Sequence, residues 1–478
     1  MTTSREDTKS LVICDDAGYT KIGHSKTRQH VAAILANLAT LCIGMANAWT
    51  APALPLIQRQ TDVILPLYAT EEQASWISSL LPIGAVVGAL PAGYLADKLG
   101  RRRVLLMMAL PFFLGWMLIV LAADSILQVY AGRFIIGLAA GACTVLVPIY
   151  NEEIAEDSIR GMIGVYFNLM LFSGILLMYL LGAFLSYIHF TVAGCLMPIL
   201  FFKIFFWMPE SPTYLVFTKR LPEAEKSLMW LRDSSILYDV GVQPEILTLM
   251  TRATENATSS STLCTRTSLK AIAIIFGLVL FQQLSGINAL IYYAVEIFND
   301  AGSSVSGYIS SIIIGAVQIL AVSIPCFTVD RFGRKPLLII SSILVAICLG
   351  LISGYFYFKD HNYDIDSWRW IPLTSLVTYV ITLTIGFGTL PFFMVAELVP
   401  TSIKGKVTSA STSLYWATSF LVTKIFPYMV HNVGQDITYG ILSGISVLAC
   451  IFTIFAVPET KGKSREEIQD ILENRFMF

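Results

Sequence analysis

Charged side chains are what this chain of 478 residues has least of: Asp, Glu, Lys and Arg make up 14% of it, against 55% hydrophobic residues, where a soluble domain carries about 25% charged residues. One globular core cannot hide that much apolar surface, so an ordinary soluble fold is excluded. A net charge of −1 leaves no electrostatic footprint for nucleic acid. The eight cysteines (Cys14, Cys42, Cys143, Cys195, Cys264, Cys326, Cys348 and Cys450) are scattered with no CxxC pair, which argues against a disulfide framework or a cysteine metal site. No nucleophile–base pair or metal-ligand cluster is legible. The expectation is a protein that is not an enzyme and needs no cofactor. Residues 1–30 are polar with no apolar core, so no cleavable signal peptide is expected.

What the chain does have is a series of apolar runs of about 20 residues, the length that crosses a bilayer as helix. The runs predict helices near 31–54, 73–95, 104–122, 125–148, 162–185 and 188–208, then near 271–297, 305–329, 336–357, 371–395, 407–430 and 437–457. The reading is an all-α membrane protein of twelve transmembrane helices. It has an N-terminal tail (1–30), a six-helix bundle (31–208), a polar central loop (209–268), a second six-helix bundle (269–457) and a C-terminal tail (458–478). In the loop, Pro222 to Arg232 and Pro244 to Met250 predict short helices, and the Thr/Ser-rich run 251–262 reads as linker.

Orientation follows from basic residues. The tails, the central loop and the turns near 98–103, 160, 331–335 and 404–406 would share one side and hold roughly 26 Lys and Arg, while the other side has Arg59, Lys359 and Arg369. Both termini are therefore expected in the cytoplasm, and the glycosylation sequon Asn256-Ala257-Thr258 is expected to be unused.

The two halves also spell the same things. Asp97-Lys98-Leu99-Gly100-Arg101-Arg102 returns as Asp330-Arg331-Phe332-Gly333-Arg334-Lys335. Glu153, seven positions before Arg160-Gly161, returns as Glu397, seven before Lys404-Gly405, and Pro209-Glu210-Ser211 returns as Pro458-Glu459-Thr460. Seven residues is about two helical turns, so Glu153 and Arg160 are expected on one helix face ~10 Å apart. That gap would admit an opposite charge from a neighbouring turn, with Arg101, Arg102 and Arg103 as candidates. Three amides in seven residues, Gln282, Gln283 and Asn288, flank Ser285-Gly286. On an unbroken helix Asn288 would point about 120–140° away from both glutamines, so a break at Ser285-Gly286 is expected to turn all three toward one cavity.

Together with Trp49 to Pro55, these motifs make the chain resemble the sugar porters of the major facilitator superfamily, closest to insect facilitated trehalose and hexose transporters. The resemblance covers nearly the whole chain. It implies two pseudo-symmetric six-helix bundles that expose a central site to each side in turn, with a sugar and the lipid bilayer as partners and a monomer sufficient. It implies a sugar pocket of Gln282, Gln283, Asn288, Asn168, Gln318, Phe392, Tyr415, Trp416 and Ser419. It further implies a cytoplasmic charge network of Arg101, Arg102, Arg103, Glu153, Arg160, Glu210, Arg331, Arg334, Lys335, Glu397, Lys404 and Glu459 that bridges the halves when the outside is open.

Several positions depart from the better-known hexose porters. Asn168 stands for Gln, Gln318 for Asn, Thr389 and Phe392 for Pro and Trp, Tyr415 for Asn, and Thr213 for Arg. The substrate, whether trehalose, a hexose or a polyol, does not follow from the resemblance. Arg133 lies inside an apolar run, yet Val31 to Leu54 contains no Asp or Glu. In proton-coupled relatives an Asp stands there, so its absence favours a uniporter, expected in the plasma membrane, over a proton symporter; the altered pocket residues leave a non-transporting sugar sensor as a further alternative. Lys424 has no assigned role, and the tail sequence Glu467 to Leu472 reads as an amphipathic turn rather than a sorting signal.

Overall fold

The computed structural model describes residues 13–14, 20–21, 26–58, 67–122, 125–233, 245–251, 265–302, 305–399, 401–463 and 465–474. Asn256, Arg59 and most of the Thr/Ser-rich run fall outside them. Two two-residue strands, Ile13–Cys14 and Thr20–Lys21, pair antiparallel ahead of the helices.

Twelve spans follow among the described residues. The first six are Thr27–Ile57, Glu71–Leu99, Arg101–Val120, Ile126–Ile154, Arg160–Phe184 and Tyr187–Phe205. The seventh is Arg266–Ala301. The eighth is Gly307–Ala321 continued by Pro325–Phe332, and the ninth is Arg334–Asp360. The tenth is Ile371–Ile385 continued by Leu390–Leu398, the eleventh Thr401–Val433 and the twelfth Gln435–Ala456. Leu90, Leu110, Leu127, Phe184, Leu320 and Phe455 stay exposed on their outer faces; in a membrane protein such residues meet lipid tails, and every backbone polar group is satisfied inside its own helix.

Three C-terminal spans are broken. The seventh breaks where expected: Gly286 takes φ +91, a left-handed conformation that glycine adopts without steric cost. The eighth, expected as one helix, stops at Ala321 and restarts at Pro325, whose missing N–H cannot continue the ladder. The tenth, also expected to be continuous, opens at Gly386, where ψ is −93, and the Gly388 N–H turns back to Leu383 O at 2.6 Å.

The expected helical register from Glu153 to Arg160 is not observed. The fourth span ends at Ile154, Ala155 is extended (ψ 135), and the fifth begins at Arg160. The same happens between Glu397 and Lys404, where Val399 is extended (ψ 133), as the residue before Pro400 must tend to be. In each half the chain turns between the acid and the base, so the two do not share one helix face.

Each half carries its own amphipathic appendix on the face with the charged turns. Leu221–Leu231 buries Ala224, Leu228 and Leu231, and Arg232 behind it ion-pairs with Glu156 at 3.3 Å and Glu245 at 2.5 Å. The tail helix Arg465–Asn474 buries Ile468 and Leu472, and Lys270 Nζ of the seventh span donates to Leu472 O at 2.7 Å. The tail residues therefore form a docked helix with their apolar side chains covered.

Candidate functional site

The doubled motifs build two matching charged corners. In the N-terminal half the Arg101 guanidinium lies 2.9 Å from Glu153 Oε2 and 2.9 Å from Asp97, and Ser211 Oγ donates to that same Glu153 oxygen at 2.5 Å. Glu210 accepts from the Arg102 N–H at 2.8 Å. In the C-terminal half Arg334 lies 2.9 Å from Glu397, Thr460 Oγ1 donates to Glu397 at 2.5 Å, and Glu459 accepts from the N–H groups of Arg334 and Lys335 at 3.0 Å each. Gly100 and Gly333 sit beside these glutamates with φ +103 and +88. A side chain on Gly100 would fall 2.4 Å from Glu210 Oε2. Both motifs thus need glycine for conformation and for room.

These corners lie within the halves, not between them, which corrects the expected bridging network. Arg160 pairs with its neighbour Asp157 at 2.7 Å. Arg102 donates to Phe206 O, and Lys335 Nζ to Ile454 O at 2.6 Å. Arg331 is exposed and offers its backbone carbonyl to Lys461 Nζ at 2.6 Å, while Arg103 is simply exposed. Among the described residues, the ion pair of the expected network that crosses is that of Lys404 with Glu152 at 2.9 Å. Sequence reasoning passed over Glu152. Its signal was the acidic doublet Glu152-Glu153, whose second-half counterpart is Ala396-Glu397.

More cross-half bonds lie deeper and toward the opposite face. Tyr292 OH donates to Asn47 Oδ1 at 3.0 Å, and Tyr179 OH to Ile291 O at 2.8 Å. Lys424, left without a role above, donates to Ser75 Oγ at 2.7 Å and sits 4.1 Å from the centre of the Trp76 ring. Beyond them an open vestibule of about 620 Å³ faces away from the charged turns.

Near the helix breaks the structure gathers most of the expected pocket. Gln282 Nε2 donates to Gly388 O in the broken tenth span at 3.1 Å, Gln283 Nε2 donates to Tyr415 O at 3.1 Å, and Asn288 Nδ2 donates to Ser419 Oγ at 2.7 Å. Tyr415 lies between the rings of Phe392 and Trp416, with centroids 6.0 and 5.3 Å away. Each amide nitrogen thus spends one of its two N–H donors on protein. The oxygens Gln282 Oε1, Gln283 Oε1 and Gln318 Oε1, and the indole nitrogen of Trp416, are buried with no hydrogen-bond partner among the described residues. Gln318 is buried on the eighth span and Asn168 half-buried on the fifth, and among the described residues no hydrogen bond ties either to the cluster.

Arg133 is fully buried. Its Nη1 donates to Ala46 O at 2.6 Å and its Nε to Ile77 O at 3.0 Å, and the guanidinium sits 5.6 Å from the Trp49 ring and 5.8 Å from that of Tyr292. Among the described residues no carboxylate forms an ion pair with it.

A family model for the sugar (and other) transporters matches residues 32–472. The chain belongs to this family. It is a multi-pass membrane transporter of the major facilitator fold, and its family is one of carriers rather than enzymes. The chain is 36% identical to the facilitated trehalose transporter Tret1 of Bombyx mori, over 92% of this chain and 86% of that protein. It is 34% identical to Tret1 of Apis mellifera ligustica, over 98% and 94%. Among solved structures, the inward-open xylose transporter XylE from E. coli superposes with a TM-score of 0.77 at 23% identity, covering 93% of this chain and 99% of that one.

Proposed function

We propose that this carrier moves trehalose or a hexose down its gradient across the plasma membrane by alternating access, with the charged turns and both termini in the cytoplasm. The observation that carries the reading is the set of buried amide oxygens on Gln282, Gln283 and Gln318 with the Trp416 indole N–H, all without partners among the described residues. Leaving a buried polar atom unsatisfied costs about 1–3 kcal/mol. A polyol supplies hydroxyl donors for the three oxygens and an acceptor for the indole, while Phe392 and Tyr415 offer ring faces to its apolar C–H surface. A charged solute would lack a countercharge among these groups. The family and the names of the trehalose-transporting relatives support a sugar as that polyol.

Passive transport is the mode these residues favour. Arg133 is held by carbonyl groups and rings, and the first span offers no carboxylate to carry a proton past it. The site opens to one face when the bonds on that face part. Toward the vestibule these are Tyr292–Asn47, Tyr179–Ile291 and Lys424–Ser75; on the charged face it is Lys404–Glu152. The test is counterflow in proteoliposomes with labelled trehalose, glucose and fructose, run with and without a pH gradient. Exchange of at least one sugar is expected, with a rate and extent that the pH gradient does not change. Accumulation driven by the pH gradient would refute passive transport, and absence of exchange for every sugar would refute transport.

A further inference from the structure

The vestibule is more than a passage. It draws its lining from both halves: Gln58 and Glu71 from the first, and Tyr293, Glu296, Phe426 and Tyr439 from the second. Its volume of about 620 Å³ falls within the roughly 300–1,000 Å³ of small-molecule sites. One wall is aromatic: the Tyr293 ring stacks on Phe426 at 5.9 Å with an interplanar angle of 23°, and Phe426 meets Tyr439 edge-on at 6.1 Å.

The polar lining divides into groups that are spoken for and groups that are not. Glu71 faces His431 at 3.4 Å across the halves, and Asp300 accepts from Gln435 Nε2 at 2.8 Å. Tyr293 OH donates to Thr423 O at 3.0 Å. Two groups remain. Tyr439 is only 4% exposed, yet among the described residues its hydroxyl has no hydrogen-bond partner, and it lines the cavity. The Glu296 carboxylate, largely covered on the seventh span, likewise has neither a donor nor a cation among the described residues. A covered hydroxyl and a covered acid without partners call for a ligand bearing several donors and acceptors. The acids do not converge closely enough for a metal ion: no group of three His, Cys, Asp or Glu that could hold one exists among the described residues. Their negative charge also disfavours an anion.

We infer that the vestibule is a second, shallower sugar site, in which Glu296 and Tyr439 bond the hydroxyls of a neutral saccharide lying on the Tyr293–Phe426 wall before it reaches the amide cluster. This rests on the reading of the protein as a sugar carrier, and the experiment keeps the two separable. Binding of trehalose and of glucose is measured by calorimetry on the purified full-length protein, on Gln282→Ala/Gln283→Ala, and on that variant with Glu296→Gln and Tyr439→Phe added.

The parent is expected to bind at least one of the two sugars. The amide-deleted variant should keep a saturable site at least tenfold weaker, and the fourfold variant should lose it. In transport, Glu296→Gln/Tyr439→Phe alone should raise KM from the vestibule side roughly two- to tenfold, the effect of losing one hydrogen bond, with the ratio of maximal rate to KM staying equal in the two directions, as passive transport requires. No sugar binding to the parent overturns both readings. Binding that vanishes entirely with Gln282 and Gln283 removed, or that survives all four substitutions, overturns the vestibule site alone. Melting temperatures of all variants within a few degrees of the parent separate these results from misfolding.

Discussion

In the N-terminal half Arg101 grips Glu153 while Ser211 donates to the same carboxylate; in the C-terminal half Arg334 grips Glu397 while Thr460 donates to that acid's other oxygen. Away from these corners the halves part company. The second and fourth spans approach until a side chain on Gly88 would meet Leu138 O at 2.0 Å and one on Gly141 would meet Ala85 O at 1.9 Å. The first and fifth spans do likewise at Gly44, 2.0 Å from Leu171 O. In the second half the seventh, eighth and tenth spans are broken, and Gly354 and Gly444 have nothing within 4 Å. The first half makes its closest backbone approaches at these glycines and carries the buried Arg133, although its first span is itself parted at Asn37 and Trp49. The other is jointed and carries the amides. A duplicated scaffold has kept its hinge-side corners and divided the labour at mid-membrane.

The largest effect should come from wedging the first half open. Gly141→Val forces a branched side chain against a carbonyl and should cost about 3 kcal/mol or more, visible as loss of monodisperse protein in detergent. Gly354→Ala and Gly444→Ala in the jointed half should be neutral or slightly stabilising. Equal damage from all three would erase the contrast.

Next are the corners. Arg101→Gln strands a carboxylate whose side chain is 14% exposed, and Arg334→Gln one that is 26% exposed. The first should lower stability by about 2–3 kcal/mol and the second by less, because water reaches Glu397 more readily. Thermal unfolding of the two variants ranks them, and the reverse order would mean that the corners are not equivalent in build.

Smaller still is Gln282→Ala, which should weaken sugar affinity by about 0.5–1.5 kcal/mol without altering the melting temperature or delivery to the membrane. Smallest is Lys404→Gln. An exposed pair is worth about 0–1 kcal/mol, so stability should hardly change, while the balance of inward- and outward-facing forms, read by cysteine labelling at the vestibule, should shift.

The sequence carried the twelve spans, because apolar length and basic turns are set by the bilayer rather than by tertiary detail. It also carried the break at Ser285-Gly286, because amides on both sides of a glycine make sense only if the helix turns there. The breaks at Gly386–Thr389 and before Pro325 were less legible: both lie in runs apolar enough to pass as unbroken helix. The register from Glu153 to Arg160 misled because the spacing of two helical turns is also the spacing of a helix end, a short turn and a new helix start. Glu152 and Lys424 were opaque for a common reason. Each acts on a residue of the other half, 252 and 349 positions away in the chain, and no local pattern encodes such a partner.

Two bundles that part and rejoin on alternate faces can be tested most directly by tying them together. Glu152→Cys/Lys404→Cys places a thiol on each half where the ion pair now spans them. Bridging that pair in proteoliposomes with a bifunctional thiol reagent of cleavable spacer should stop sugar counterflow, and cleaving the spacer should restore it. Exchange that continues at its original rate with the halves covalently joined would contradict alternating access.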